Sequence, residues 1–235
     1  MSTGKGQVLE LILEDGCRYV RVACPPNLIP SPGQYLLASD GPDSPLPVPL
    51  FHTDSDARSF VAAAPVPDSS TGLLRLWTPG LELQLRGPLG RGFTLPSSAR
   101  KAGLVAFDDK RSSPARLRGL IRPALKQAAA VVLVCSSTPD NLPDDVEVQP
   151  LSALQEIVEW ADYLAFDAGR DNLDQLRERL GKLNQLAAGK AAQVLIRTPV
   201  PCGGIADCGV CAVSLKSGWR LACKEGPVFN WNEVG

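Results

Sequence analysis

The chain has 235 residues, is 44% hydrophobic and 21% charged, and carries a formal net charge of −1 with a pI near 5.9. That composition supports a buried core and excludes a disordered polymer. It gives no basic excess for nucleic acid or an anionic membrane surface. Charged residues arrive early in MSTGKGQVLELILEDG, and no apolar run approaches the roughly 18 residues of a membrane span. A cytoplasmic protein is expected, in which thiols stay reduced.

From residue 6 to residue 97, short alternating or apolar runs (QVLELILE, RYVRVAC, QYLLAS, SFVAAAPV, LLRLW, LELQLRG) are separated by turn-rich stretches such as PPNLIPSPG and SDGPDSPLP. This pattern predicts an antiparallel β-barrel over residues 1–98. After Ser98 the pattern changes. GLVAFD, AVVLVCS, DVEVQ, DYLAFDA and AQVLIRT read as buried strands, and helix-like segments lie between some of them. Strands alternating with helices predict a parallel α/β domain over residues 99–198. Pro123 is expected to kink or split the first helix. Residues 171–189 read as one helix, capped by Asp171 with Asn172 and ended by Gly189.

Residues 199–235 form a third part, rich in cysteine and glycine, with almost no helical period. Four of the seven cysteines fall there in the spacing Cys202-x5-Cys208-x2-Cys211-x11-Cys223. Thiolates are soft ligands, so four together suit zinc or an iron–sulfur cluster. Structural zinc sites usually bring two C-x2-C knuckles, and here there is one. The lopsided spacing is close to the plant-type C-x4-C-x2-C…C pattern of [2Fe–2S] proteins, with one residue added. Gly203, Gly204 and Gly209 would let backbone N–H groups approach the sulfurs. Cys17, Cys24 and Cys135 sit in apolar, strand-like context and read as small buried hydrophobes.

Three further stretches carry a resemblance. Cys223-Lys224-Glu225-Gly226-Pro227-Val228-Phe229, Gly87-Pro88-Leu89-Gly90-Arg91-Gly92-Phe93 and Pro32-Gly33-Gln34-Tyr35, in this order of parts, resemble the electron-transfer subunit of class 1B dihydroorotate dehydrogenase, of the ferredoxin reductase superfamily. The resemblance implies FAD on the barrel, a nicotinamide nucleotide on the α/β domain, and a cluster relaying electrons to the FMN of a catalytic partner. It implies an oxidoreductase accessory subunit of pyrimidine biosynthesis, assembled as a heterotetramer. It places flavin contacts at Val48, Pro49, Phe51, His52, Thr71, Gly87 and Pro88, and metal ligands at the four clustered cysteines.

The sequence departs from that family in its nucleotide motifs. Val48-Pro49-Leu50-Phe51-His52 stands where the family has Arg-Pro-x-Ser, and Asp68-Ser69-Ser70-Thr71 where it has a Gly-x-Gly-Thr phosphate loop. His52, the only histidine, either replaces a flavin contact or is an ordinary core or solvated histidine. No glycine-rich turn follows the first α/β strand; Asp109-Lys110-Arg111-Ser112-Ser113-Pro114 does. Asp167-Ala168-Gly169-Arg170 replaces the family's Cys-Gly-Pro loop. These changes argue against NAD and toward another external carrier, such as a ferredoxin. Alternatives are a non-catalytic partner module, or the electron-transfer subunit of another redox complex of hydrogenase or ferredoxin:NAD(P) reductase type. Gly226, Pro227, Val228, Phe229 and Trp231 either dock the partner or pack the tail onto the barrel.

Overall fold

The computed structural model describes residues 2–14, 17–41, 47–63, 77–107 and 114–234. Six strands close into an antiparallel barrel in the order β1-β2-β5-β4-β3-β6. They are β1 (Ser2–Glu14), β2 (Cys17–Ala23), β3 (Tyr35–Ser39), β4 (Val48–Ser55), β5 (Ser59–Ala63) and β6 (Glu82–Leu89). Alternation makes the core: Leu83 and Leu85 of β6 point inward with Val8, Val22, Leu36, Val48, Leu50 and Phe60. β4 has no clean alternating pattern in sequence, because Pro49, His52, Thr53 and Asp54 interrupt it. The LLRLW run lies outside the described residues except for Trp77, which is buried in this core.

The second layer is a six-stranded sheet in the order β14-β11-β10-β7-β8-β9. Its strands are β7 (Lys101–Phe107), β8 (Ala130–Val134), β9 (Val146–Gln149), β10 (Tyr163–Gly169), β11 (Ala191–Arg197) and β14 (Val228–Asn230). The first five are parallel, and β14 joins β11 antiparallel. The sheet is apolar on both faces, as a parallel sheet covered by helices requires. One face packs α2 (Leu154–Trp160), α3 (Leu173–Leu180) and α4 (Leu183–Gly189). The other packs α1 (Ala115–Lys126) through Leu117, Leu120, Ile121 and Ala124.

Three local expectations are corrected. α1 continues through Pro123, which sits in its last turn, where packing against two layers outweighs one lost hydrogen bond. The segment 171–189 is two helices, α3 and α4, parted at Gly181, whose φ of 51° no helix continues through. Asp171 and Asn172 lie in a 3-10 turn, and no side chain caps α3. Among the described residues no helix is long and apolar enough to cross a membrane.

The stretches that carry the family resemblance meet at the seam between barrel, sheet and tail. Gln34 donates a 2.9 Å hydrogen bond to the Gly90 carbonyl. The Arg91 N–H donates to the Gly226 carbonyl, and Arg91 bridges Pro227. Gly90 is needed for this approach: its φ is 74°, and a Cβ there would fall on the Gly226–Pro227 peptide.

Candidate metal centre and the barrel face beside it

Cys202, Cys208 and Cys211 lie in the loop between β11 and a small hairpin, β12 (Ala212–Leu215) with β13 (Gly218–Leu221), and Cys223 lies in the single-turn α5 (Ala222–Glu225) that follows it. The loop turns through positive φ at Gly203 (61°), Gly204 (70°), Ala206 (65°) and Gly209 (69°). Ala206 is the informative one, since a side chain rarely adopts that conformation without the surroundings imposing it. The result is a concave run of amides. The N–H groups of Asp207, Cys208 and Ile205 point at the Cys202 sulfur, and that of Ala206 at the Cys223 sulfur.

The thiols stand as two pairs. All four thiols are free; those of Cys202 and Cys208 interact by a side-chain hydrogen bond, as do those of Cys223 and Cys211. Desolvation opposes ionisation of Cys202, but the three amides and the Cys208 thiol outweigh it and lower its pKa from 9.0 to about 6. Burial, then the Cys211 thiol and the charges of Cys211 and Cys202, push Cys223 up to about 12. Among the described residues no three His, Cys, Asp or Glu side chains converge on one metal ion. A mononuclear zinc site would bring four ligands to one point. Four soft thiols in one lopsided spacing, flanked by inward amides that would offset negative charge, suit an anionic two-iron cluster. The donor set therefore fits a [2Fe–2S] group.

Cys211 and Cys223 are buried, Cys202 is half-buried and Cys208 is exposed, so the centre reaches the surface on the Cys208 side. The sequence reading missed three exposed apolar residues: Ile205 and Val210, which stand on either side of Cys208 in the loop, and Trp219 of β13, which is 72% exposed. The tail residues are not docking residues. Val228 and Phe229 are buried in β14, and Trp231 packs on Phe166 and donates a 2.9 Å hydrogen bond to the Asn184 carboxamide. Cys24 and Cys135 are buried as expected. Burial raises the thiol pKa of both, that of Cys24 to about 11.

On the inner side of the cluster loop stands Tyr35, 1% exposed, whose hydroxyl donates to the Cys223 carbonyl at 3.4 Å. Its ring packs on Phe51 at 5.3 Å. Phe51 leaves β4 toward the α/β layer, and the Arg116 guanidinium of α1 lies over its ring at 4.9 Å. Val48 and Leu50 point the other way, into the barrel core. Arg116 approaches Asp167 at 3.9 Å, and Asp167, wholly buried at the end of β10, is bridged by Arg197 at 2.8 Å. His52 is buried: its Nε2 pairs with the Ser55 hydroxyl at 3.0 Å, while its Nδ1 faces Gly119 of α1 without a hydrogen-bond partner. Burial lowers its pKa from 6.5 to about 4, despite the opposing charge of Asp54. This is the core histidine of the two alternatives. Gly87 packs against Leu36 inside the barrel, next to Pro88 in β6. Thr71 with its phosphate-loop neighbours, Asp109–Ser113 and the side chain of Cys17 lie outside the described residues.

Residues 202–235 match the family model of the iron-sulfur cluster binding domain of dihydroorotate dehydrogenase B. The chain is 26% identical over 213 residues, covering 86% of itself and 85% of the relative, to a protein of Clostridium acetobutylicum named dihydroorotate dehydrogenase B (NAD(+)), electron transfer subunit. Among solved structures it superposes with a TM-score of 0.73 at 14% identity on a chain of the NADH-dependent reduced ferredoxin–NADP oxidoreductase, over 100% of this chain and 91% of that one. A ferredoxin–NADP+ reductase of Neisseria gonorrhoeae, with FAD and NADP bound, gives 0.54 at 12% identity over 78% and 92%. The fold is that of the ferredoxin reductases.

Proposed function

We propose that this chain is the iron–sulfur electron-transfer subunit of a dihydroorotate dehydrogenase of class 1B type. It passes electrons between an FMN-bearing catalytic partner and an external carrier, in the pyrimidine biosynthesis of the cytoplasm. The observation that carries the reading is the set of four thiols in a loop of inward amides, within the segment that matches the dihydroorotate dehydrogenase B cluster domain. When bound, a [2Fe–2S] cluster accepts and releases single electrons. Cys202, Cys208, Cys211 and Cys223 would hold it. The amides of residues 205–208 offset the negative charge of the thiolates and set the potential. Tyr35 fixes the Cys223 backbone from inside the barrel seam. Exposed Ile205 and Val210 beside Cys208, with exposed Trp219 on the following hairpin, offer apolar surface suited to docking the catalytic subunit and excluding water between the two. A heterotetramer of two such chains with two catalytic subunits is the assembly the resemblance implies.

The gonococcal neighbour holds FAD, so a flavin is the group that this fold takes where its crevice is open. The electron-transfer role itself is tested by mixing the anaerobic, iron-loaded chain with a class 1B catalytic subunit and adding dihydroorotate. Bleaching of the chain's visible absorption, dependent on the catalytic subunit, is expected. An unchanged spectrum contradicts the assignment.

A further inference from the structure

A flavin that reduces the cluster from a hydride donor requires two open places in this fold. The resemblance assigns the flavin to β4, and only the outward side of that strand is free of the barrel core. The nicotinamide needs the crevice at the C-terminal ends of the parallel strands, where open α/β sheets take their ligands. In this chain both places hold the chain's own side chains.

α1 lies across the β4 face along its length. At its start Ala115 packs with Tyr19, Val61 and Ala63 of the barrel. One residue on, Arg116 stacks on Phe51, the residue standing where the family has the serine of its flavin motif. Arg118 lies over the Tyr19 ring at 5.9 Å, and Arg122 bridges Asp54 at 3.1 Å. At mid-helix, Gly119 lets α1 come as near as contact permits: a Cβ there would stand 2.7 Å from His52 Nδ1. The same Arg116 closes the strand ends, because it reaches Asp167, and Asp167 is held by Arg197. Phe51, Arg116, Asp167 and Arg197 thus form one continuous plug from the barrel to β11. An aromatic face meets a guanidinium, and a fully buried carboxylate is neutralised by ion pairs with arginines from α1 and β11. Withdrawing Arg116 to admit a ring would strip Phe51 of the guanidinium over its face and Asp167 of one of its cations.

We infer that this chain has exchanged the nucleotide crevice of its fold for an interdomain joint, binds no flavin, and serves as a single-electron relay. Its external partner is then a one-electron carrier, and no hydride donor reduces it directly. This inference rests on the cluster reading above and narrows the class of partner.

The test uses the full chain purified anaerobically with its iron. Acid-released flavin is measured by fluorescence and iron on the same sample. Hydrogen–deuterium exchange of α1 and β4 is then compared with and without excess FAD, and NADH, NADPH and a reduced ferredoxin are each tried as reductants of the visible chromophore. Expected are no stoichiometric flavin, unchanged exchange in α1 and β4, and bleaching by the ferredoxin alone. One flavin per chain, FAD-dependent protection of β4, or bleaching by a nicotinamide nucleotide without another protein overturns the inference. A chain without iron refutes the cluster reading instead, and the flavin and exchange results still decide this one.

Discussion

Trp231→Ala separates the two roles open to the C-terminal aromatics. The indole is 1% exposed, its ring lies 4.9 Å from that of Phe166, and its Nε1 donates to Asn184. A buried tryptophan removes roughly 150–250 Å² from water. At about 25 cal/mol per Å² this is about 4–6 kcal/mol, and core Trp→Ala changes typically cost about 3–5 kcal/mol. Asn184 is half-buried, so water replaces its lost donor and adds little. A loss of about 4 kcal/mol corresponds to a fall in Tm of about 8–16 °C for a chain of this size. Trp231→Phe keeps most of the apolar contact and should lose less than half as much. Calorimetry on the three proteins reads this directly. A Trp231→Ala protein melting within about 2 °C of the parent would refute the placement of the tail in the core and return Trp231 to the surface.

Other outcomes follow from the same geometry. Cys208→Ser is expected to abolish the visible absorption of the cluster while Cys135→Ser leaves it intact; equal spectra would undo the ligand assignment. Trp219→Ala should leave Tm within about 2 °C, since exposed changes cost about 0.5 kcal/mol or less. It should weaken binding of the catalytic subunit about tenfold, roughly 1.4 kcal/mol in a titration; unchanged affinity would remove Trp219 from the interface. His52 is held neutral in the fold, with its pKa lowered from 6.5 to about 4. The unfolded chain therefore binds the extra proton between those values. The neutral histidine's contribution is complete above pH 6.5 and declines as pH falls toward 4. The full difference is about 3 kcal/mol. Denaturant unfolding from pH 7 to pH 4.5 should show this loss in the parent and a shallower slope in His52→Gln; parallel slopes would contradict the burial of the ring.

Much of this was legible in the chain itself, for physical reasons that differ by element. The strands of the parallel sheet are buried on both faces, so they read as unbroken apolar runs. The cysteine spacing is set by what four ligands of one cluster need, which is local chemistry. β4 escaped pattern reading because its inward residues, Val48 and Leu50, are followed by buried His52 and Thr53. β14 was invisible for another cause: three residues join a sheet edge more than thirty positions away in sequence, and no local period announces that. Its aromatics therefore looked like a docking surface. The exposed apolar residues of the cluster loop left a usable signal. Ile205 and Val210 sit between ligand cysteines in a loop whose backbone faces the sulfurs, so their side chains must face out. The plug left one as well. Asp167 stands inside the apolar run LAFDA, and a carboxylate in a buried strand demands cationic partners. Which arginines answer it was set by the fold.

The measurement closest to the central claim is iron, zinc and acid-labile sulfide on the anaerobically purified chain, beside its visible spectrum before and after dithionite. About two irons and two sulfides per chain, with absorption that dithionite bleaches, are what a [2Fe–2S] group on the four clustered cysteines predicts. One zinc per chain and a colourless protein would contradict it, and with it the electron-transfer role.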